Sequence, residues 1–124
     1  MTSAPDPQVP PAQLDAAAST FDLLSVPARL HLVILLATGE YDVTTLAELT
    51  DAQVPATSQQ LAKLRAAGLV AARREGRRQL YQVNDPHIVS VIEQMLSHIA
   101  PDGTIQHNRD DHSPRRPRFT AQGA

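Results

Sequence analysis

Apolar residues Ile88, Val91, Ile92, Met95, Leu96 and Ile99 recur at three- and four-residue intervals, the period of a helix that buries one face. Asp85 and Pro86 open this helix with a capping carboxylate and a first-turn proline, and Pro101 and Gly103 close it. Upstream, residues 13–24 are Ala-rich and carry Leu14, Phe21 and Leu24 on one side. Residues 27–38 (PARLHLVILLAT) are apolar nearly all round and stop at Gly39, which predicts a central buried helix. His31, within it, reads as a structural or surface residue. Thr44 or Thr45 can cap a short helix through Thr50, with Leu46, Ala47 and Leu49 inward. Another helix over 55–67 ends at Gly68, a left-handed stop. LVAARREGRRQLYQV then reads as two strands joined by a tight turn at Glu75-Gly76. The pattern is mainly α with a small β-hairpin.

A chain of 124 residues with 42% hydrophobic content makes one domain with a modest core. Aromatics are 3% and Trp is absent, so that core is aliphatic. A small aliphatic core beside a long apolar terminal helix points to a dimer. The net charge of -2 gives the whole molecule no strong pull on polyanions, so any such binding needs local clusters. The absence of cysteine excludes disulfides, thiolate metal sites and thiol switches. No apolar run approaches the ~20 residues of a membrane span, and there is no signal-peptide core, so the expectation is a cytoplasmic protein with no membrane partner. Residues 1–11 hold four of the ten prolines and read as a disordered arm. Residues 101–124 are rich in Pro, Asp, His and Arg and read as a flexible tail. The globular domain is 12–100.

Two short helices joined by a turn and followed by a hairpin are the parts of a winged helix-turn-helix. On the second helix, at about 100° per residue, Thr57, Leu61 and Leu64 cluster on one side. Pro55, Ala56, Gln59 and Lys63 point the other way, with Ser58 and Gln60 on the flanks. That outward face is polar and nearly free of carboxylates, which suits a major groove: Gln pairs with adenine, Ser and Thr reach bases or phosphates, and Lys meets phosphate. The candidate DNA contacts here are Thr57, Ser58, Gln59, Gln60 and Lys63. Arg73, Arg74, Arg77 and Arg78 bracket the hairpin turn, four of eleven basic residues within six positions. Arg74, Arg77 and Arg78 are the wing candidates for phosphate or the minor groove. A solvated hairpin is the plainer reading of such a run, but its place directly after a helix-turn-helix favours DNA. A winged-helix protein-interaction module is the alternative, and it should expose aromatics or Met on that helix. No phosphate loop, nucleophile elbow or pair of acids points to an enzyme.

His87 and His98 lie eleven residues apart on the last helix, about 20° beyond three full turns and about 16 Å along the axis. One helix cannot close both onto one ion, since metal–imidazole bonds are about 2 Å. An antiparallel copy can, by setting His98 of one chain beside Asp85 and His87 of the other. Two polar residues at the edge of a packing face is the other reading of the same spacing.

The runs SVPARLHLVILLATGE and TTLAELTDAQVPATSQQLAKLRAAGLVAARREGRRQLYQVND resemble the ArsR/SmtB family of bacterial metal-responsive transcriptional regulators. The resemblance covers residues 13–100, and its most specific parts are the SQQLAKLRAAGLV helix end and the RREGRR wing. It implies a homodimer of winged helices joined through the first and last helices, which binds operator DNA and releases it when metal binds. Members that sense metal at the last helix use an Asp and a His at its start, a His eleven residues on, and a His or Glu three beyond. Asp85, His87 and His98 match the first three, and the fourth falls on Pro101, which has no ligand atom. The family's cysteine site falls around Asp42 and Thr44, so thiolate-dependent sensing is not expected. Nitrogen and oxygen donors suit nickel, cobalt or zinc. Nickel-sensing relatives recruit tail histidines, and this tail offers Asp102, His107 and His112. A family regulator that does not itself respond to metal, or that relies on an accessory protein, is the runner-up within the same fold.

Overall fold

The structure is a computed structural model and describes residues 8–106. They fall in two units, one ending at Val89 and the other beginning at Ser90. The first holds α1 (Pro11–Leu24), α2 (Pro27–Leu36), α3 (Val43–Leu49), α4 (Val54–Ala66), β1 (Ala71–Glu75) and β2 (Arg78–Gln82). The last helix, α5 (Pro86–His98), starts at its end and continues through the second unit.

Helices α1 and α2 each begin on a proline, where a missing N–H costs nothing and the ring presets the helical φ. The two cross a short break at 96°. α2 buries Leu32, Val33 and Leu36 and leaves His31 exposed. It ends at Leu36, two residues short of the predicted Thr38, and Gly39 is not left-handed. The reason lies in Thr38: its N–H (3.0 Å) and its hydroxyl (2.7 Å) both donate to the Leu35 carbonyl, closing the last turn early.

The cap of α3 is Asp42 rather than Thr44 or Thr45. Its backbone is extended, and its Oδ1 accepts from the Thr45 N–H at 2.9 Å. Asp51 ends α3 in a left-handed conformation (φ 55), where Asp51 N–H bonds to Glu48 O and Ala52 N–H to Ala47 O. Gly68 (φ 81) ends α4 in the same way, through Gly68 N–H to Arg65 O and Leu69 N–H to Leu64 O. Leu36, Leu46, Leu61, Leu64 and Val33 are the most deeply buried side chains, so α2, α3 and α4 share one aliphatic centre. Each such burial contributes about 1.5–3 kcal/mol.

The strands pair antiparallel in the register Ala71↔Gln82 to Glu75↔Arg78, which makes Gly76-Arg77 the turn. This is one residue later than the predicted Glu75-Gly76. Gly76 has φ 63 at the first turn position, the demand of a type II′ hairpin that follows strand twist. Tyr41 bridges Tyr81 through two backbone bonds of 3.2 and 2.9 Å, adding a single rung to the outer side of β2. Val83 N–H donates to Leu36 O at 3.1 Å and ties the wing's exit to α2.

In the second unit, Ile92 is buried while Val91, Met95 and Leu96 remain about half exposed. Beyond His98 the chain turns back. Gly103 N–H donates to Ala100 O and Ala100 N–H to Thr104 O, both at 2.8 Å, and Ile99 bridges Ile105. Pro101 occupies the first corner position, and Asp102 Oδ1 accepts from Thr104 N–H at 2.9 Å. Residues 101–106, expected within a tail, thus form a tight reversal against the end of α5.

Candidate nucleic-acid interface and metal-ligand helix

α3, its turn and α4 form the helix-turn-helix, and α4 presents Pro55, Ala56, Ser58, Gln59 and Lys63 to solvent. Thr57 is buried, with its hydroxyl donating to Gln53 O at 2.9 Å, so it packs inward and does not face a base. Gln60 is also turned in. Its Oε1 is buried with no hydrogen-bond partner among the described residues, beside a cavity of about 130 Å³ lined by Ala28, Leu32, Thr50 and Ala52. Among the sequence candidates on α4, Ser58, Gln59 and Lys63 are the outward set.

The four wing arginines divide into two kinds. Arg73 Nε and Nη2 donate to both carboxylate oxygens of Glu40, each at 2.8 Å, and Nη2 also lies 3.6 Å from Glu75. Arg78 Nε donates to Asp42 Oδ2 at 3.2 Å. Arg74 and Arg77 are exposed and make no ion pair among the described residues. Arg78, a sequence candidate for DNA, is therefore already engaged by a carboxylate. Nothing local in the sequence marks Glu40 and Asp42 as partners of the wing; the structure brings them there on either side of Tyr41, which bridges Tyr81 of β2.

Both acids are held below the usual carboxylate range. For Glu40 the Arg73 hydrogen bonds are the main cause. For Asp42 the Thr45 N–H comes first and Arg78 adds to it. Glu40 in turn raises the Arg73 guanidinium above its ordinary value.

At the start of α5, Asp85 Oδ1 accepts from the His87 backbone N–H at 2.8 Å and lies 3.2 Å from His87 Nδ1. The backbone N–H is the main reason that the Asp85 carboxyl is held low, with the imidazole contributing less. Nδ1 faces the carboxylate, and the His87 side chain is 93% exposed. His98 is exposed in the last turn of the helix. Among the described residues no three metal-ligating side chains come together within the chain. Asp85 and His87 bring an oxygen donor and a nitrogen donor side by side, hydrogen-bonded to each other through Nδ1, and Pro101 adds no donor. Asp102 is occupied in its own turn, and His107 and His112 lie outside the described residues.

Residues 26–72 match the bacterial regulatory protein arsR family. The chain is 36% identical over 94 residues to the HTH-type transcriptional regulator NmtR of Mycobacterium tuberculosis, covering 72% of this chain and 78% of that one. It is 33% identical over 97 residues to the transcriptional repressor SmtB of the same species, covering 77% of this chain and 72% of the relative. Among solved structures it resembles the homodimeric winged helix-turn-helix DNA-binding domain Mb0332 of Mycobacterium bovis, with a TM-score of 0.65 and 28% identity over 91% of this chain and 100% of that one. The chain belongs to the ArsR/SmtB family. It is a winged helix-turn-helix transcriptional regulator that binds DNA, and not an enzyme. Among the described residues no single helix is long and apolar enough to cross a membrane.

Proposed function

We propose that the chain is a homodimeric repressor whose operator affinity is controlled by a transition metal, nickel, cobalt or zinc, held between protomers. Asp85 and His87 of one protomer and His98 of the partner subunit are the ligands. The observation that carries this reading is the Asp85–His87 pair at one end of an exposed helix with His98 at the other. Half-exposed Val91, Met95 and Leu96 on α5, and exposed Leu14 and Phe21 on α1, supply the apolar faces that a second copy would cover. The homodimeric state of Mb0332 supports the same assembly. We place dimerisation and DNA binding within residues 12–100, between an arm (1–11) and a tail (101–124).

In this reading α4 enters the major groove, Gln59 and Ser58 read base edges, and Lys63, Arg74 and Arg77 meet phosphate. Bound metal would crosslink the two α5 helices and favour one dimer arrangement over another, which shifts operator affinity by the difference in metal binding between them. The protein's own part is to preorient Asp85 and His87 through the backbone N–H that holds the carboxylate. Operator affinity, followed by fluorescence anisotropy on the upstream DNA while nickel, cobalt and zinc are titrated, is expected to change with at least one metal. His98→Ala should abolish the change without altering metal-free DNA affinity. Metal binding by His98→Ala equal to that of the native chain overturns the assignment.

A regulator of the same family that does not itself respond to metal is the second reading. Pro101 at the fourth ligand position favours it. An operator affinity unmoved by all three metals would select it.

A further inference from the structure

We propose that Glu40 and Asp42 set the specificity of DNA binding by withholding two of the four wing arginines from phosphate. The inference rests on the reading that the wing meets DNA. Tyr41, bonded to β2 at Tyr81, has Glu40 before it and Asp42 after it in the chain, and the two carboxylates reach Arg73 of β1 and Arg78 of β2. Glu40 takes Arg73 in a two-pronged pair, the strongest geometry open to guanidinium and carboxylate. Asp42 is fixed in advance by the Thr45 N–H on Oδ1, leaving Oδ2 for Arg78. In both pairs the acid is the more sheltered partner: Asp42 and Glu40 are 23% and 28% exposed, against 57% and 48% for Arg78 and Arg73. The acids are part of the scaffold, and the arginines are held to it.

Phosphate contacts raise affinity for every DNA sequence alike, and each adds about 0.9 to the slope of log affinity against log salt. Four free arginines on the wing would strengthen random binding at the expense of the ratio that matters for finding an operator. With Glu40 and Asp42 in place, Arg74 and Arg77 remain for phosphate. The carboxylates also oppose phosphate approaching Arg73 and Arg78 directly.

The test is Glu40→Gln combined with Asp42→Asn. Asn caps helices as well as Asp, so α3 keeps its start, and Glu40→Gln alone, which touches no cap, is the second variant. On a random duplex, the double variant should bind several-fold tighter, with a salt slope steeper by up to about 0.9 per released arginine. Its preference for the upstream operator fragment over random DNA should fall. Adding Arg73→Gln and Arg78→Gln should return the slope to its native value, while those two substitutions alone in the native chain should leave it unchanged. An unaltered slope in the double variant, or a steepening that survives loss of both arginines, overturns the inference. Arg74→Gln with Arg77→Gln tells the two ideas apart. If that pair flattens the slope and the acid variants do nothing, only the withholding fails. If it does not flatten the slope, the wing does not meet DNA and both fall.

Discussion

The backbone N–H of Gln106 donates to the carbonyl of His98 at 2.8 Å, so the reversal after α5 ends beside the last proposed metal ligand. His107 and His112 follow in the sequence, outside the described residues. Three ligands leave a transition metal short of a full shell, and nickel gains more than zinc from added donors. Deleting residues 107–124 should weaken nickel more than zinc, as read by competition with a chromophoric chelator. Equal affinities before and after deletion would mean that the tail contributes no ligand. Pro101→His, which adds a donor three residues beyond His98, should tighten zinc.

Removing the apolar faces should separate the protomers. Phe21, 62% exposed on α1, and Leu96 on α5 each become a buried charge in the proposed dimer if replaced by Asp. Light scattering at tens of micromolar should show Phe21→Asp/Leu96→Asp as a monomer with its helical signal intact. The same variant running as a dimer would place the interface elsewhere.

Gln59 and Gln60 are neighbours in sequence but should behave differently. Gln59 is exposed, so Gln59→Ala should lower operator affinity by about 1–3 kcal/mol with little change on random DNA. Gln60 has its amide oxygen buried without a partner among the described residues, and Gln60→Met replaces that oxygen with an apolar group of similar length. Its thermal midpoint should equal or exceed that of the native chain, and operator affinity should be retained. A loss of operator affinity matching that of Gln59→Ala would put Gln60 on the DNA face after all.

Asp51 holds a left-handed conformation that costs most residues roughly 1–2 kcal/mol. Asp51→Gly relieves that strain and should raise stability by up to about 1 kcal/mol, whereas Asp51→Val should lower it. Urea titration reads both; a stabilised Val variant would show that the turn after α3 is not constrained.

Acid should weaken the fold through Asp42. Its carboxyl is lowered from 3.8 by the Thr45 N–H and Arg78, so the folded state favours the ionised form. The corresponding stability is fully present above 3.8 and is lost as pH falls through the lower folded value. Asp42→Asn should show a shallower decline of unfolding free energy below about pH 4 than the native chain. Parallel declines would assign the acid sensitivity to other carboxylates.

Sequence alone determined the five helices, the hairpin and the outward position of Ser58, Gln59 and Lys63. Each follows from interactions within a few residues: the spacing of leucines on α4, prolines at the first helical positions, glycine at the end of α4 and in the hairpin turn. The same locality limits what can be read. Asp42, Thr44 and Thr45 are all competent caps, and the extended backbone at Asp42, which follows the Tyr41–Tyr81 rung, selects among them. The Pro101-Asp102-Gly103 run looks like tail composition, yet the bridge between Ile99 and Ile105 makes it a corner. Gln60 lies on the flank of a helical wheel, and the packing of α2 and the α3–α4 turn decides that it points inward. The engagement of Arg73 by Glu40 and Arg78 by Asp42 spans 33 and 36 residues. No local pattern encodes such pairs; they exist because the tertiary fold brings the loop before α3 alongside the wing, where opposite charges close over a few ångströms.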